Sequence, residues 1–221
     1  MLQGRNLTAV ATTVIALGAF VSIFLAGPSI RPAGAQTIID KWASVPAPPP
    51  PTLKQVTVDP KTTALLMLDF MSQNCGKRPA CVASLPTMKK LLANARAAKA
   101  PVIYSIIANS TTADVMPDVA PLGGEPWVQA GPDKFINTDL ARILKDKGIQ
   151  TVIVTGTASN GAVLFTAAGA AFRGMNVIVP VDGMSSINPF QELYTAWHLK
   201  NAPAAVSSHV TLTTTDKITI R

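Results

Sequence analysis

Apolar runs of strand length alternate with amphipathic helical segments from Thr62 to the C-terminus, and this alternation leaves few folds open to the chain. The first run is TALLMLDF (63–70) and the second is PVIYSIIA (101–108). Such continuously apolar runs are typical of strands buried on both faces of a parallel sheet. The alternation predicts the α/β class, with a doubly wound, mostly parallel sheet and helices on both of its faces.

Later segments continue the pattern. Three further strands are predicted at 149–156, 175–182 and 209–214, and four helices at 84–100, 138–148, 160–174 and 189–200. Ser84 and Thr138 are predicted to cap their helices, because their hydroxyls can accept hydrogen bonds from free N–H groups. Gly148 and Gly174 are predicted to end their helices.

Polar groups follow three of the predicted strands, where ligands bind in doubly wound sheets. These are Asp69, the Gly156–Ala162 turn and Asp182. Burial would raise the pKa of Asp69 and suit it to general acid or base catalysis, although such an acid can also cap a loop or helix. The turn could offer N–H groups to a developing oxyanion, or its glycines could be purely structural.

The N-terminus has the pattern of an export signal. Arg5 and Arg31 flank the apolar stretch Leu7–Gly27, residues 1–35 contain no acid, and Ala33-Gly34-Ala35 suits a signal peptidase. We therefore predict a signal peptide at 1–35 and a periplasmic or secreted protein. The stretch is long enough that an uncleaved membrane anchor remains an alternative.

A Pro-rich arm is predicted at 36–60, because VPAPPPPT (45–52) favours extended polyproline II structure. The α/β domain is assigned to 61–221. The net charge is +7, but the basic residues are scattered and aromatic residues are few. We therefore expect no nucleic-acid partner, and contact with a membrane only through the signal segment.

The chain has two cysteines, Cys75 and Cys81, in the segment NCGKRPAC. Zinc would need further ligands, and neither His198 nor His209 is close in sequence, so no metal is predicted. An oxidising compartment favours a small disulfide loop, and a free reactive Cys75 is the alternative. Neither histidine is predicted to be catalytic: His198 lies in a helix and His209 starts a strand.

The segment from about Thr62 to the C-terminus resembles the isochorismatase-like superfamily, also called the cysteine hydrolases. Its first strand, LLMLDF, is similar to the family strand that ends in a catalytic aspartate. The strongest block is residues 138–186. The motif residues in that block are Thr138, Leu140, Gly148-Ile149, Thr155-Gly156, Ser159-Asn160, Arg173-Gly174 and Asp182.

The resemblance implies an Asp–Lys–Cys site in the family's amidases, and this chain departs from it. Asp69 matches the aspartate, but Ala162 stands where the nucleophilic cysteine is expected and Gln129 where the lysine is expected. Lys134 is near, but it adjoins Phe135 and is expected to point elsewhere. Alanine forms no covalent intermediate, which excludes cysteine amidase chemistry at position 162.

Isochorismatases proper also lack the cysteine, and there the aspartate can deliver a proton to a vinyl ether without a covalent step. Together with the N-terminal signal pattern, the resemblance thus predicts a secreted hydrolase of a small molecule with Asp69 as general acid or base and no cofactor. The residues expected to bind substrate are Gln129, Lys134, Asn160, Gly161 and Ala162, with an exposed surface charge as the alternative role of Lys134. A silent domain that binds a small molecule or a protein remains the alternative function. Family members commonly form oligomers, so a homo-oligomer is expected.

Overall fold

The computed structural model describes residues 37–221. The chain divides into two compact units, Met1–Ala47 and Pro48–Arg221. The predicted signal peptide therefore lies outside the described residues. In the first unit, the described part forms helix α1 (Ile38–Lys41) and a short 3-10 turn (Trp42–Ser44). Across residues 37–221, no helix has both the length and the apolar character needed to cross a bilayer.

The second unit is built on parallel strands. They are β1 (Val56–Val58), β2 (Thr63–Leu68), β3 (Val102–Ile106), β4 (Trp127–Gln129), β5 (Thr151–Thr157), β6 (Asn176–Pro180), β7 (Met184–Ser185), β8 (Val210–Thr213) and β9 (Ile218–Ile220). The main sheet has the order β4-β3-β2-β5-β6-β8, with β7 paired to the end of β5, and β1 pairs with β9 separately. Every pair of strands is parallel.

Helices cover both faces of this sheet. They are α2 (Pro79–Ala97), α3 (Leu140–Asp146), α4 (Leu164–Phe172), α5 (Pro189–Asn201) and α6 (Ala205–His209). Successive side chains of β2 enter opposite layers: Leu66 packs with residues of α3, α4 and α5, and Leu65 packs with residues of α2. All six residues of β2 are buried, as a central strand requires. The predicted doubly wound α/β fold is confirmed.

Two helix starts differ from the prediction. Helix α2 begins at Pro79, not Ser84, and the Ser84 hydroxyl donates 2.7 Å back to the Cys81 carbonyl. Proline at the first helical position lacks only an N–H that would have no partner there, so Pro79 suits the start. At α3 the capping residue is Asp139, while the Thr138 hydroxyl accepts a 3.2 Å hydrogen bond from the Leu140 N–H.

Part of the segment assigned to the Pro-rich arm is built into the second unit. Strand β1 pairs with β9, and the Lys54 N–H donates 2.9 Å to the carbonyl of Leu212 in β8. The Thr213 hydroxyl in turn donates 2.6 Å to the Lys54 carbonyl. These bonds fix the chain along the β8 edge of the sheet before it enters β2.

Gly156, near the end of β5, allows a close approach to β2. Its φ is +134°, and a Cβ at this position would lie 2.1 Å from the Leu68 carbonyl oxygen. Both facts require glycine here. Any other residue would have its Cβ in contact with the β2 backbone and would have to adopt a disfavoured backbone φ. The close approach brings the end of β5 directly against the residue that precedes Asp69.

We expect Gly156→Ala to lower the free energy of unfolding by about 1–3 kcal/mol, because the methyl group forces the two central strands apart. Urea denaturation measures the change. Gly123→Ala is the matched control, since a Cβ there meets nothing within 4 Å. Equal stability of the two variants would contradict the close approach.

Candidate active site

Asp69 follows β2 directly and adopts the left-handed conformation, with φ +55°. Aspartate tolerates this region better than most residues, so the turn is compatible with its side chain. The Asp69 N–H donates to the Ser105 carbonyl, and the Asp69 carbonyl accepts from the Met71 N–H at 2.8 Å. The residue is only 5% exposed, and the Ser105 hydroxyl donates 2.7 Å to Oδ1. The carboxylate is therefore fixed at the carboxyl edge of the sheet.

Lys134 forms an ion pair with this carboxylate. Its Nζ lies 2.7 Å from Asp69 Oδ2 and 2.8 Å from the Gly131 carbonyl oxygen, and the residue is 1% exposed. The expectation that Lys134 points away from the site, or is a surface charge, was wrong. Phe135 is buried in the cluster that contains Leu140 and Leu144, with the Arg173 guanidinium 4.2 Å from its ring centre, while the Lys134 side chain reaches Asp69 instead.

Burial and the neighbouring cations act on Asp69 in opposite directions. Burial raises the pKa of Asp69 above the ordinary 3.8, because a carboxylate loses hydration inside the protein. The charge of Lys134, the hydrogen bonds from Lys134 and Ser105, and the charge of Arg78 lower the pKa but do not outweigh burial. Asp69 therefore holds its proton to a higher pH than a free aspartic acid, as a general acid requires.

A cavity of about 560 Å³ opens beside Asp69, and we call it the Asp69 cavity. Its walls come from the ends of β2, β4 and β5, from the segment after β3 and from the loop before α2. The lining residues are Asp69, Asn74, Arg78, Ile107, Ala108, Gln129, Ala130, Gly131, Pro132, Thr157, Ala158, Gly161 and Ala162. The volume suits a small organic molecule.

Three of the residues predicted to bind substrate line this cavity: Gln129, Gly161 and Ala162. The Gln129 amide donates 2.9 Å to the Ile107 carbonyl, so its donor end is engaged with the backbone. Asn160 does not line the cavity, and its side-chain oxygen accepts a 3.1 Å hydrogen bond from the Ser186 hydroxyl. Gln129 occupies the sequence position at which the resemblance predicted the lysine. In the structure, however, the lysine that contacts Asp69 is Lys134.

The turn after β5 forms a single π-helical segment, Ser159–Val163, that leads into α4. Two of its N–H groups are already occupied: that of Ser159 donates to the Ser186 hydroxyl at 3.0 Å, and that of Gly161 to the Ala158 carbonyl at 3.1 Å. These two N–H groups are thus already engaged within the fold. The turn supplies shape to the cavity wall through Gly161 and Ala162.

Asp182 and the histidines lie away from the Asp69 cavity. Asp182 accepts hydrogen bonds from the Thr215 N–H (2.9 Å) and hydroxyl (2.6 Å), and lines a separate cavity of about 580 Å³. The expectation that Asp182 belongs to the site was therefore wrong, because it fixes the Thr215 turn instead. His198 packs against the Tyr194 ring within α5, and His209 Nδ1 lies 2.8 Å from the Ala205 carbonyl.

Sequence reasoning missed the charged cavity residue Arg78. Its Nη1 donates to the Thr157 hydroxyl at 3.2 Å, and the side chain is half-buried. The available signal was its position in the segment between the two cysteines, which lies close after Asp69 in sequence. The structure joins Cys75 to Cys81 by a disulfide, and both cysteines are fully buried.

In the part of the chain that the structure describes, no three histidine, cysteine, aspartate or glutamate side chains cluster as a metal site would need. The ionisable groups at the Asp69 cavity are Asp69 and Arg78, with Lys134 bound behind Asp69. The arrangement can bind an anion and can give or take one proton at Asp69.

Residues 63–211 match the family model described as the isochorismatase domain. Among curated proteins, a nicotinamidase of Acinetobacter baylyi is 37% identical over 65 residues, which are 29% of this chain and 30% of the relative. A secreted isochorismatase effector of Verticillium dahliae is 29% identical over 113 residues, 46% of this chain and 60% of the relative. The chain thus matches less than two thirds of either relative's length.

Solved structures show the same fold. An isochorismatase-like hydrolase from Alkaliphilus metalliredigens aligns with a TM-score of 0.63 and 24% identity, over 71% of this chain and 96% of that one. An N-carbamoylsarcosine amidase from Thermoplasma acidophilum aligns with a TM-score of 0.61 and 20% identity, over 70% of this chain and 97% of that one. At these identities the likeness concerns the fold alone.

Proposed function

Because the chain belongs to the isochorismatase family, we propose that it hydrolyses a small molecule, with Asp69 as general acid and base and without a covalent intermediate. The observation that carries the proposal is the buried Asp69–Lys134 pair, 2.7 Å apart, beside a cavity whose wall has Ala162 at the position of the nucleophile. Both cysteines of the chain are joined in the disulfide. A thiol nucleophile is therefore absent, and the chemistry falls to the carboxyl group.

An enol ether is the substrate type that this site fits best, because its hydrolysis needs one acid and one water. The Asp69 carboxyl group gives its proton to the terminal carbon of the double bond, and the ether carbon becomes an oxocarbenium ion. Water adds to that carbon and returns a proton to the Asp69 carboxylate. The hemiketal then breaks its C–O bond to give a ketone and an alcohol.

Lys134 supports this cycle without contacting the substrate. When Asp69 has lost its proton, its carboxylate lies in a buried position where an unpaired charge is costly. The ammonium group of Lys134 and the Ser105 hydroxyl stabilise the carboxylate at that stage. Lys134 is thus a positioning residue in the proposal, and Asp69 is the catalytic one.

Turnover of a panel of enol ethers and small amides by the purified full chain tests the proposal. We expect enol-ether hydrolysis that persists after treatment with iodoacetamide, because the described residues include no free cysteine. In D2O the ketone product should carry one solvent deuteron on its new methyl group. Amide turnover blocked by iodoacetamide would contradict the proposal, and ligand binding without any turnover would favour the silent binding domain.

The pH dependence of kcat/KM is a second prediction. Since Asp69 must carry its proton to act as the acid, the rate should fall as the pH rises through the pKa of Asp69. Burial places that pKa above 3.8, so the decline should begin at a higher pH than for a free aspartic acid. A rate that rises with pH over the same range would contradict the assignment of Asp69 as the acid.

We also propose that the protein is secreted or periplasmic. The N-terminal signal pattern, the Cys75–Cys81 disulfide and the likeness to a secreted effector support this proposal. Sequencing the N-terminus of the exported protein tests it, and cleavage after Ala35 is expected. Retention of the intact chain in the cytoplasm would contradict it.

A further inference from the structure

We infer that Arg78 binds a carboxylate group of the substrate, so that the Asp69 cavity selects small anionic molecules. The inference rests on the proposed hydrolase function, because the molecule that Arg78 binds is taken to be the one that is hydrolysed. Arg78 and Asp69 line the same cavity, and the guanidinium charge acts on the Asp69 carboxyl group. A group held by Arg78 would therefore keep the rest of a small molecule beside Asp69.

The charge balance of the site favours an anion. Lys134 is paired with Asp69, and its ammonium group is turned inward to the Asp69 carboxyl group and to the Gly131 carbonyl. Within residues 37–221, no carboxylate lies within 4 Å of the Arg78 guanidinium. The cavity thus carries one positive charge that the described protein residues leave unpaired.

The geometry of the guanidinium favours a carboxylate in particular. One N–H group donates to the Thr157 hydroxyl, and that hydroxyl in turn donates 3.0 Å to the Ser185 carbonyl. This bond orients the planar guanidinium group at the carboxyl end of β5. Arginine offers paired N–H groups that match the two oxygens of a carboxylate, and among the described residues a partner is found for one of these groups.

The loop between the cysteines holds Arg78 in place. Its N–H donates 2.9 Å to the Cys75 carbonyl, and its carbonyl accepts from the Cys81 N–H at 2.9 Å. The disulfide closes the loop around these bonds, with a sequence separation of six between the two cysteines. A backbone fixed on both sides leaves less freedom to be lost when the side chain binds an anion.

Binding of benzoate and of benzamide tests the inference, because the two probes have similar size and differ in charge. The full chain, its Arg78→Met and Arg78→Lys variants and the control Lys77→Met are titrated at pH 7 by ligand-observed NMR. Lys77 is exposed and lies in the same loop. We expect Arg78→Met to weaken benzoate binding by about 10- to 150-fold, the usual effect of losing a charged hydrogen-bonded contact.

Arg78→Lys should recover part of that loss, while Lys77→Met and the binding of benzamide should change less than about threefold. Benzoate binding that is absent from the unmodified chain, or that is unaffected by Arg78→Met, would overturn the inference. So would an equal loss in Lys77→Met. Because the measurement reports binding alone, its result is separate from whether the protein turns over an enol ether.

The role of the disulfide has its own readout. Reduction with dithiothreitol, followed by alkylation, should weaken benzoate binding with Arg78 still present, because the loop is then open. Circular dichroism establishes that the reduced protein keeps its helices. Unchanged benzoate affinity in folded, reduced protein would overturn the positioning role of the disulfide.

Discussion

Replacement of Asp69 with asparagine is expected to lower kcat/KM for an enol ether by about 10²- to 10⁴-fold. The amide has no proton to give at the pH of the assay, but it keeps the shape of the carboxyl group. Asparagine also tolerates the left-handed backbone that this position requires, with φ +55°. Loss of activity would therefore report chemistry and not a change of backbone.

Two further variants make this result decisive. Asp69→Asn leaves the buried Lys134 without its carboxylate, so Asp69→Asn combined with Lys134→Met removes both charges together and should be folded and inactive. Asp118→Asn is the matched control, since Asp118 is an exposed acid paired with Lys89. Activity of Asp69→Asn within about threefold of the control would remove Asp69 from the mechanism.

Lys134→Met should lower the free energy of unfolding by about 3–5 kcal/mol at neutral pH, because it leaves the buried Asp69 without its partner. Urea denaturation at several pH values measures the loss. Lys89→Met is the control, since the Lys89–Asp118 pair is more than half exposed on both sides and should contribute at most about 1 kcal/mol. Equal losses in the two variants would contradict the importance of the buried pair.

The pH dependence of this loss has a definite sign. Lys134 lowers the pKa of Asp69, so its removal raises that pKa further above 3.8. A raised pKa means that folding favours the protonated acid. The contribution of Asp69 to the stability of the variant should therefore be most favourable below pH 3.8 and should be lost as the pH rises from there through the pKa in the fold. The pH at which activity declines should shift upward in the same variant.

The sequence was sufficient to predict the sheet and the position of Asp69. Apolar runs such as 63–70 report burial on two faces, and an acid at the end of such a run must lie at the carboxyl edge. The short strands β1, β4, β7 and β9 were not predicted, because two or three residues carry no readable periodicity. Tertiary hydrogen bonds decide whether segments this short are strands at all.

Lys134 and Arg78 could not be assigned from sequence for a different reason. The direction of a loop side chain depends on what its neighbours contact. Lys134 faces Asp69 while the next residue, Phe135, packs in the core beside Arg173, which lies in a distant segment. Arg78 faces the cavity because the Thr157 hydroxyl, 79 residues away, accepts its hydrogen bond. Spacing along the chain gives no access to such contacts.

The pairing of β2 with β5 also determines when the site can exist during folding. Met67 and Thr155, partners in this pair, are 88 residues apart, so the central pairing closes a long loop. Closing such loops is slow, because the chain loses entropy before the contacts repay it. Asp69 and Ala162 lie just beyond the ends of these two strands. The cavity can therefore form only after β2 and β5 have paired. A fragment that contains only one of these two strands would lack a complete ligand-binding site.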